Sequence, residues 1–239
     1  MSTVAEVGLW GRRVGTVALL DGESVASFEY DRDFLGSGIQ LSPIAMPLAG
    51  RVFSFPELSA ASFHGLPGLL ADSLPDKFGN AVIDRWLESQ GRPRGSMNAV
   101  ERLCYMGTRG MGALEYEPVL GPEPSTSDRV DLARLTLLAQ AILERRESFR
   151  VSVDPEGMEQ IIRMGTSAGG ARAKALVAWN EDTGDIRSGQ VDVGPGYGYW
   201  LLKFDGVASN ADKEGFDVPC HTRIEYAYHL MACAAGIEM

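Results

Sequence analysis

The first thirty residues contain three apolar, β-prone segments in close succession, and this pattern limits the topologies open to the chain. The segments VGLWG, RRVGTVALLDG and SVASFEYD alternate or cluster β-branched and aromatic side chains, and turn signals such as Asp21-Gly22 separate them. Strands joined by such short connections pair antiparallel, because a parallel pair needs a crossover of a dozen or more residues. The sequence therefore predicts an antiparallel meander at the N-terminus.

Helical spacing follows the meander, after proline-punctuated extended chain in LSPIAMPL and the VFSF segment. Phe78, Val82 and Trp86 recur at the i, i+4, i+8 spacing of one helical face. Pro75 suits a first helical turn, and Gly91 suits the C-terminal end. A second helix is predicted in SMNAVERLCYMG, with Ser96 as its N-cap and Gly107 as its terminator, before GALEYEP returns to a strand.

The domain organisation is predicted from one composition change. Residues 119–127 hold two prolines and several Ser and Thr residues, which is typical of a linker. We therefore expect an N-terminal subdomain over residues 1–118 and a second domain over residues 128–239. In the second domain we expect two helices, a hairpin that turns near Thr183-Gly184, a strand in YWLLKFD and a last helix that ends at Gly236.

Composition excludes several classes of protein. The chain has 239 residues, of which 45% are hydrophobic and 23% charged, as is ordinary for a soluble globular protein. A net charge of −10 argues against direct nucleic-acid binding, which draws its affinity from Lys and Arg. Three widely spaced cysteines suit a reducing compartment, and neither a secretory signal nor a membrane span is predicted. The expectation is a cytoplasmic enzyme or binding protein.

Three features of the second half follow one another in an order that nucleotide chemistry uses. They are a glycine-bearing loop that ends at Lys174, a lysine in an apolar strand (Lys203), and a glutamate near the start of a helix (Glu225). Small residues let backbone N–H groups approach phosphate, a strand lysine can meet the phosphates, and a helix carboxylate can hold that lysine. Taken singly, they also fit a turn, an edge lysine and a solvated helix face. The loop has neither Walker A nor GxGxxG spacing.

The residues also carry a resemblance to a known family. The segments VGLWGRRVGTV, LSPIAMPL, LLADSLPDKFG and YMGTRGMGALEYEP resemble the N-terminal subdomain of HipA-type serine/threonine protein kinases, the toxins of HipBA toxin–antitoxin modules. TSAGGARAKALV is similar to the glycine loop of that family, YWLLKF to its ATP-binding strand and RIEYAYHLMACAAGI to the following helix. The resemblance implies an α+β chain. A β-rich subdomain with helices would precede an antiparallel sheet with helices like a kinase small lobe, without the catalytic lobe.

The resemblance also implies roles for individual residues. Ser167 matches a loop serine whose autophosphorylation inactivates the kinase, and Glu225 matches the glutamate that positions the ATP-contacting lysine. Ala173 stands where many relatives have proline. The implied ATP-binding residues are Ala168, Gly169, Gly170, Ala171, Arg172, Lys174 and Lys203.

Activity and partners follow from the same resemblance. The intact protein is expected to transfer phosphate from Mg-ATP to translation proteins such as aminoacyl-tRNA synthetases, and to meet DNA only through a HipB-like antitoxin. No catalytic or metal-binding residue is assigned in this chain, because in the family both aspartates lie in the catalytic lobe; the chain alone is expected to be inactive. The alternative is a non-catalytic, partner-binding module of a split or degenerate HipA system.

Other groups of polar residues carry weaker signals of a functional site. Cys220, His221, His229 and Cys233 form a candidate metal cluster, but without paired ligand motifs a structural role is favoured. His64 is isolated, which leaves a catalytic triad unsupported, and Asp72 and Asp76 suit the start of a helix better than an acid–base pair. The last helix is largely apolar, so we expect a further segment or a partner to cover it.

Overall fold

The computed structural model describes residues 2–110, 112–122, 174–203 and 220–238. The chain divides into two compact units, one formed by Met1–Asp76 with Trp86–Glu123 and the other by Lys77–Arg85 with Pro124–Met239. The predicted linker and domain limits stay predictions.

A five-stranded antiparallel sheet organises the first unit. Its order is β4-β3-β2-β1-β5, so that β5 lies beside β1 although about a hundred residues separate them in sequence. Local periodicity predicts the first strands but gives no sign of this closing pair. The strands are β1 (Thr3–Leu9), β2 (Arg12–Leu19), β3 (Ser27–Tyr30), β4 (Val52–Ser54) and β5 (Leu114–Glu117).

Alternation along β1 decides which face of this sheet is buried. Ala5, Val7 and Leu9 are buried. Glu6 is exposed and forms an ion pair with Arg13, with 3.0 Å between Glu6 Oε1 and Arg13 Nη1. Because successive side chains of a strand point to opposite faces, one face packs into the core and the other faces water. The predicted meander is confirmed.

Five helices lie within residues 32–106, and the part of α4 over Lys77–Arg85 belongs to the second unit. Three are single turns, and α5 supplies the largest helical share of the core. Val100, Leu103 and Cys104 of α5 join the buried side chains of the sheet in one hydrophobic cluster. The helices are α1 (Arg32–Leu35), α2 (Ala60–Phe63), α3 (Gly68–Ala71), α4 (Lys77–Ser89) and α5 (Ala99–Met106).

The start of α5 differs from the prediction. Asn98, not Ser96, is the N-cap: its side chain accepts from the Glu101 backbone N–H at 2.9 Å, and Glu101 accepts from the Asn98 N–H at 2.8 Å. This reciprocal pair is a capping box, which satisfies two otherwise unpaired donors. Ser96 lies too early to do so. Gly107 ends the helix at positive φ, as predicted.

A three-stranded antiparallel sheet is the centre of the described part of the second unit. Its order is β7-β6-β8, with β6 (Lys174–Asn180) between β7 (Asp185–Ser188) and β8 (Gly198–Lys203). Gly184 has positive φ in the β6–β7 turn, where the sequence predicted a hairpin. Helix α6 (His221–Ala234) follows, and Gly236 lies just beyond its end. The α+β prediction is confirmed: both units combine antiparallel sheets with helices.

The capping box generates a stability prediction. Asn98→Ala should lower the free energy of unfolding by about 1 kcal/mol, because the Glu101 backbone N–H in the first turn of α5 loses its acceptor. Urea denaturation followed by circular dichroism measures this change. Ser96→Ala is the matched control and should shift the midpoint little; equal losses in the two variants would contradict the assignment.

Candidate functional site

The register of β6 with β8 brings two lysines side by side. Lys174 pairs with Lys203, so these side chains lie on the same face of the sheet. Lys174 was predicted as the last residue of the glycine loop. It is instead the first residue of β6, because it takes part in this pairing, and it is only 6% exposed. Two ammonium groups at directly opposed positions concentrate positive charge at one end of the sheet.

Helix α6 supplies a carboxylate to this end of the sheet. Lys203 Nζ donates to Glu225 Oε2 at 2.7 Å, and the two side chains are 44% and 53% exposed. The expected closeness of Lys203 and Glu225 is therefore present in the structure. The lysine-positioning role of Glu225 and the ATP-binding roles of Lys203 and Lys174 stay predictions.

Exposure limits what this ion pair does for stability. An ion pair between exposed side chains contributes about 0–1 kcal/mol, because water screens the attraction and two flexible chains must be ordered. Its main effect is to hold the Lys203 ammonium at the end of β8. An oriented ammonium next to a second lysine is suited to bind an anion such as phosphate, which accepts hydrogen bonds from point charges.

The glycine loop itself lies outside the described residues. This applies to Ser167, the predicted autophosphorylation site, and to Ala173. It applies equally to the predicted phosphate-contacting residues Ala168, Gly169, Gly170, Ala171 and Arg172.

A polar network that the sequence did not reveal lies near the start of β8. Asp185 Oδ2 accepts from Arg187 Nε at 2.8 Å and from the Tyr197 hydroxyl at 2.5 Å. The hydrogen bond to Asp185 is the main cause that raises the pKa of the Tyr197 phenol and of the Arg187 guanidinium. The network links β7 to the residue before β8. Only its close i, i+2 acid–base spacing could have signalled it in sequence.

His64, Asp72 and Asp76 lie at or next to the ends of helices. His64 is the C-cap of α2. Its φ is 53°, and its backbone N–H donates to Ala60 O. Asp72 is the C-cap of α3, not the start of a helix, because its N–H donates to Gly68 O. Asp76 directly precedes α4, which agrees with the predicted helix-start position.

Two members of the candidate metal cluster, His229 and Cys233, lie side by side on α6. Cys233 Sγ lies 3.8 and 3.7 Å from the two ring nitrogens of His229, as their i, i+4 spacing on α6 predicts. Within the described ranges, no group of three or more His, Cys, Asp or Glu side chains could hold a metal ion.

Ser73, within the segment LLADSLPDKFG, contacts the core of the first unit. The buried Tyr116 hydroxyl donates to Ser73 Oγ at 2.7 Å. Burial raises the pKa of the Tyr116 phenol, and the charge of Asp72 raises it further. This contact ties the loop after α3 to strand β5, which gives the segment a structural role.

The described residues thus form a five-stranded sheet with helices in the first unit and, in the second, a smaller sheet in which two lysines are paired. Residues 5–117 match the family model of the HipA N-terminal domain. The chain therefore carries a HipA-like N-terminal part, and the resemblance noted in the sequence is confirmed to that extent.

Comparison with solved structures gives a further match. HipA of Shewanella oneidensis MR-1, solved with HipB and its operator DNA, is 20% identical, with a TM-score of 0.42. The match covers 76% of this chain and 37% of that one, so this chain spans well under half the length of its relative. Comparison with curated proteins finds no match. Among the helices that the structure describes, none is both long and apolar enough to cross a membrane.

The two carboxylates of the second unit are expected to differ in their structural importance. Glu225→Gln should change the free energy of unfolding by less than about 1 kcal/mol, since its partner is exposed. Asp185→Asn should cost on the order of 1–3 kcal/mol, because the Asp185 side chain is only 8% exposed and accepts two hydrogen bonds. Thermal denaturation of both variants tests this; a larger loss for Glu225→Gln would contradict it.

Proposed function

We propose that this chain supplies the ATP-binding part of a HipA-like serine/threonine protein kinase. The single observation that carries the proposal is the 2.7 Å ion pair of Lys203 with Glu225 at the end of β8. Protein kinases use such a pair between a strand lysine and a helix glutamate to hold the lysine against the nucleotide phosphates. The match of residues 5–117 to the HipA N-terminal domain supports this choice among nucleotide-binding proteins.

The chemistry of the paired lysines supports the same choice. Lys174 is buried and directly opposite Lys203, and a buried ammonium is costly unless hydrogen-bond acceptors and opposite charge surround it. Phosphate groups bound beside these two lysines would add such acceptors. ATP is therefore the proposed ligand, with Mg²⁺ bound by carboxylates of a catalytic lobe outside these 239 residues.

The further properties of the proposed kinase follow from the family. It would phosphorylate a serine or threonine of a translation protein such as an aminoacyl-tRNA synthetase, in the cytoplasm. Autophosphorylation of Ser167 would switch it off. Its partner would be a HipB-like antitoxin, through which it would meet DNA; the net charge of −10 suits an indirect contact better than a direct one.

Nucleotide binding tests the proposal directly. Isothermal titration of the 239-residue chain should detect ATP binding, and Lys203→Ala should weaken it about tenfold or more, because a charge-assisted contact to phosphate is lost. Arg12→Ala removes an exposed cation from the first unit and is the control. An ATP affinity that is the same in wild type and Lys203→Ala would sink the proposal, as would a wild-type chain that binds no ATP.

Catalysis should depend on residues beyond this chain. Incubated with Mg-ATP labelled at the γ-phosphate, the 239-residue chain should incorporate no phosphate, because phosphoryl transfer needs carboxylates that hold the metal and orient the nucleophile. Mass spectrometry of the incubated chain provides a second readout. Stoichiometric phosphate on any residue would show that the chain contains its own catalytic groups, against the proposal.

A further inference from the structure

Three residues of β8 form one stripe on the face that carries the Lys203–Glu225 pair. Tyr199, Leu201 and Lys203 alternate along the strand, so their side chains point to the same face. We call them the Tyr–Leu–Lys stripe. Tyr199 and Lys203 are four residues apart, which is about 13 Å along an extended strand. That length is comparable with an extended nucleoside triphosphate.

The stripe is more accessible than the β6 residues that pair with its two ends. Tyr199 is 50% and Leu201 42% exposed, while Lys174 and Ala178, which face Lys203 and Tyr199 on β6, are buried. The exposed side chains of Tyr199 and Leu201 thus lie in line with the oriented ammonium of Lys203. Small-molecule sites combine apolar surface with a few polar groups in this way.

The Tyr199 ring is held in place by its own hydroxyl. The hydroxyl donates to Val191 O at 3.2 Å and accepts from the Val193 backbone N–H at 3.4 Å. A ring restrained before binding loses little conformational entropy when a ligand packs on it. The chemistry that suits a fixed, half-exposed phenol ring is a flat aromatic group.

Other exposed aromatic side chains of this sheet are placed differently. Trp200 lies one residue from Tyr199 on β8, so its side chain points to the opposite face. There its ring packs edge-on against that of Trp179, with centroids 6.2 Å apart. Tyr199 is thus the tyrosine of β8 that shares a face with Lys203.

We propose that Tyr199 stacks against the nucleobase of a nucleoside triphosphate whose phosphates bind at Lys203, with the sugar over Leu201. This inference rests on the proposed function, since it concerns the same ligand, and it assigns a base-recognition residue that the nucleotide proposal lacked. It makes the site selective for nucleotides over free polyphosphate, because base–aromatic stacking adds affinity that inorganic triphosphate cannot gain.

Paired titrations of the 239-residue chain with ATP and with inorganic tripolyphosphate test the inference. Wild type should bind ATP more tightly than tripolyphosphate. Tyr199→Ala should weaken ATP binding about tenfold, as expected for loss of one stacking contact, and leave tripolyphosphate binding unchanged. Tyr199→Phe should restore the lost ATP affinity. Trp200→Ala truncates an equally exposed aromatic on the opposite face and is the matched control.

The outcomes separate this inference from the proposed function. If wild type binds tripolyphosphate as tightly as ATP, or if Tyr199→Ala weakens both ligands equally, the stacking role is wrong while the phosphate site stands. If wild type binds neither ligand, the proposed function fails and the inference with it. The wild-type comparison alone decides the matter if a Tyr199 variant does not fold.

Discussion

The antiparallel pairing of β6 with β8 is the constraint on which the candidate site depends. Its register places Lys174 opposite Lys203 and, through the two-residue repeat of a strand, puts Tyr199 and Leu201 on the same face. A slip of one residue would move every side chain of β8 to the other face. Ala175, Val177 and Ala178 of β6 are buried, and this burial stabilises the central strand with which β8 pairs.

The charged groups of the site contribute little to the stability of the sheet, and their main effect is on how the Lys203 ammonium is oriented. Like charges at directly opposed strand positions destabilise a sheet, and an exposed ion pair returns little of that cost. Among the described residues of the second unit, the buried side chains of β6 and the Asp185 network therefore contribute more to stability, while Glu225 fixes the position of the Lys203 ammonium. Such a division is what a binding site requires, because a ligand gains most from groups that are already oriented.

Local patterns in the sequence predicted local structure well. The meander, the turn at Gly184 and the helix ends at Gly107 and Gly236 all follow from turn chemistry and positive φ. The prediction of Ser96 as the N-cap was wrong, because the cap is the residue that places Glu101 at the third helical position, and that residue is Asn98. That spacing was present in the sequence and could have been read.

Contacts between distant segments could not be predicted from such patterns. The pairing of β5 with β1 depends on which strand reaches the free edge of the meander. Asp185 accepts its second hydrogen bond from Tyr197, and this contact depends on where the fold places the residue before β8. The closeness of Lys203 and Glu225 was predicted from the order of loop, lysine and glutamate along the chain, an order that kinase chemistry uses, and not from periodicity. Periodicity placed each residue on its element, but not one element against another.

Helix α6 shows why the ion pair cannot be the whole account of the site. Its apolar and aromatic side chains, Ile224, Tyr226, Tyr228, Leu230 and Met231, are largely exposed. Ordering each residue of a helix costs about 1–2 kcal/mol of backbone entropy, more than an exposed ion pair supplies. The ion pair between Glu225 and Lys203 can therefore orient α6, but its free energy is too small to keep the helix ordered. The strength of the site thus depends on how well α6 is held by contacts other than this pair.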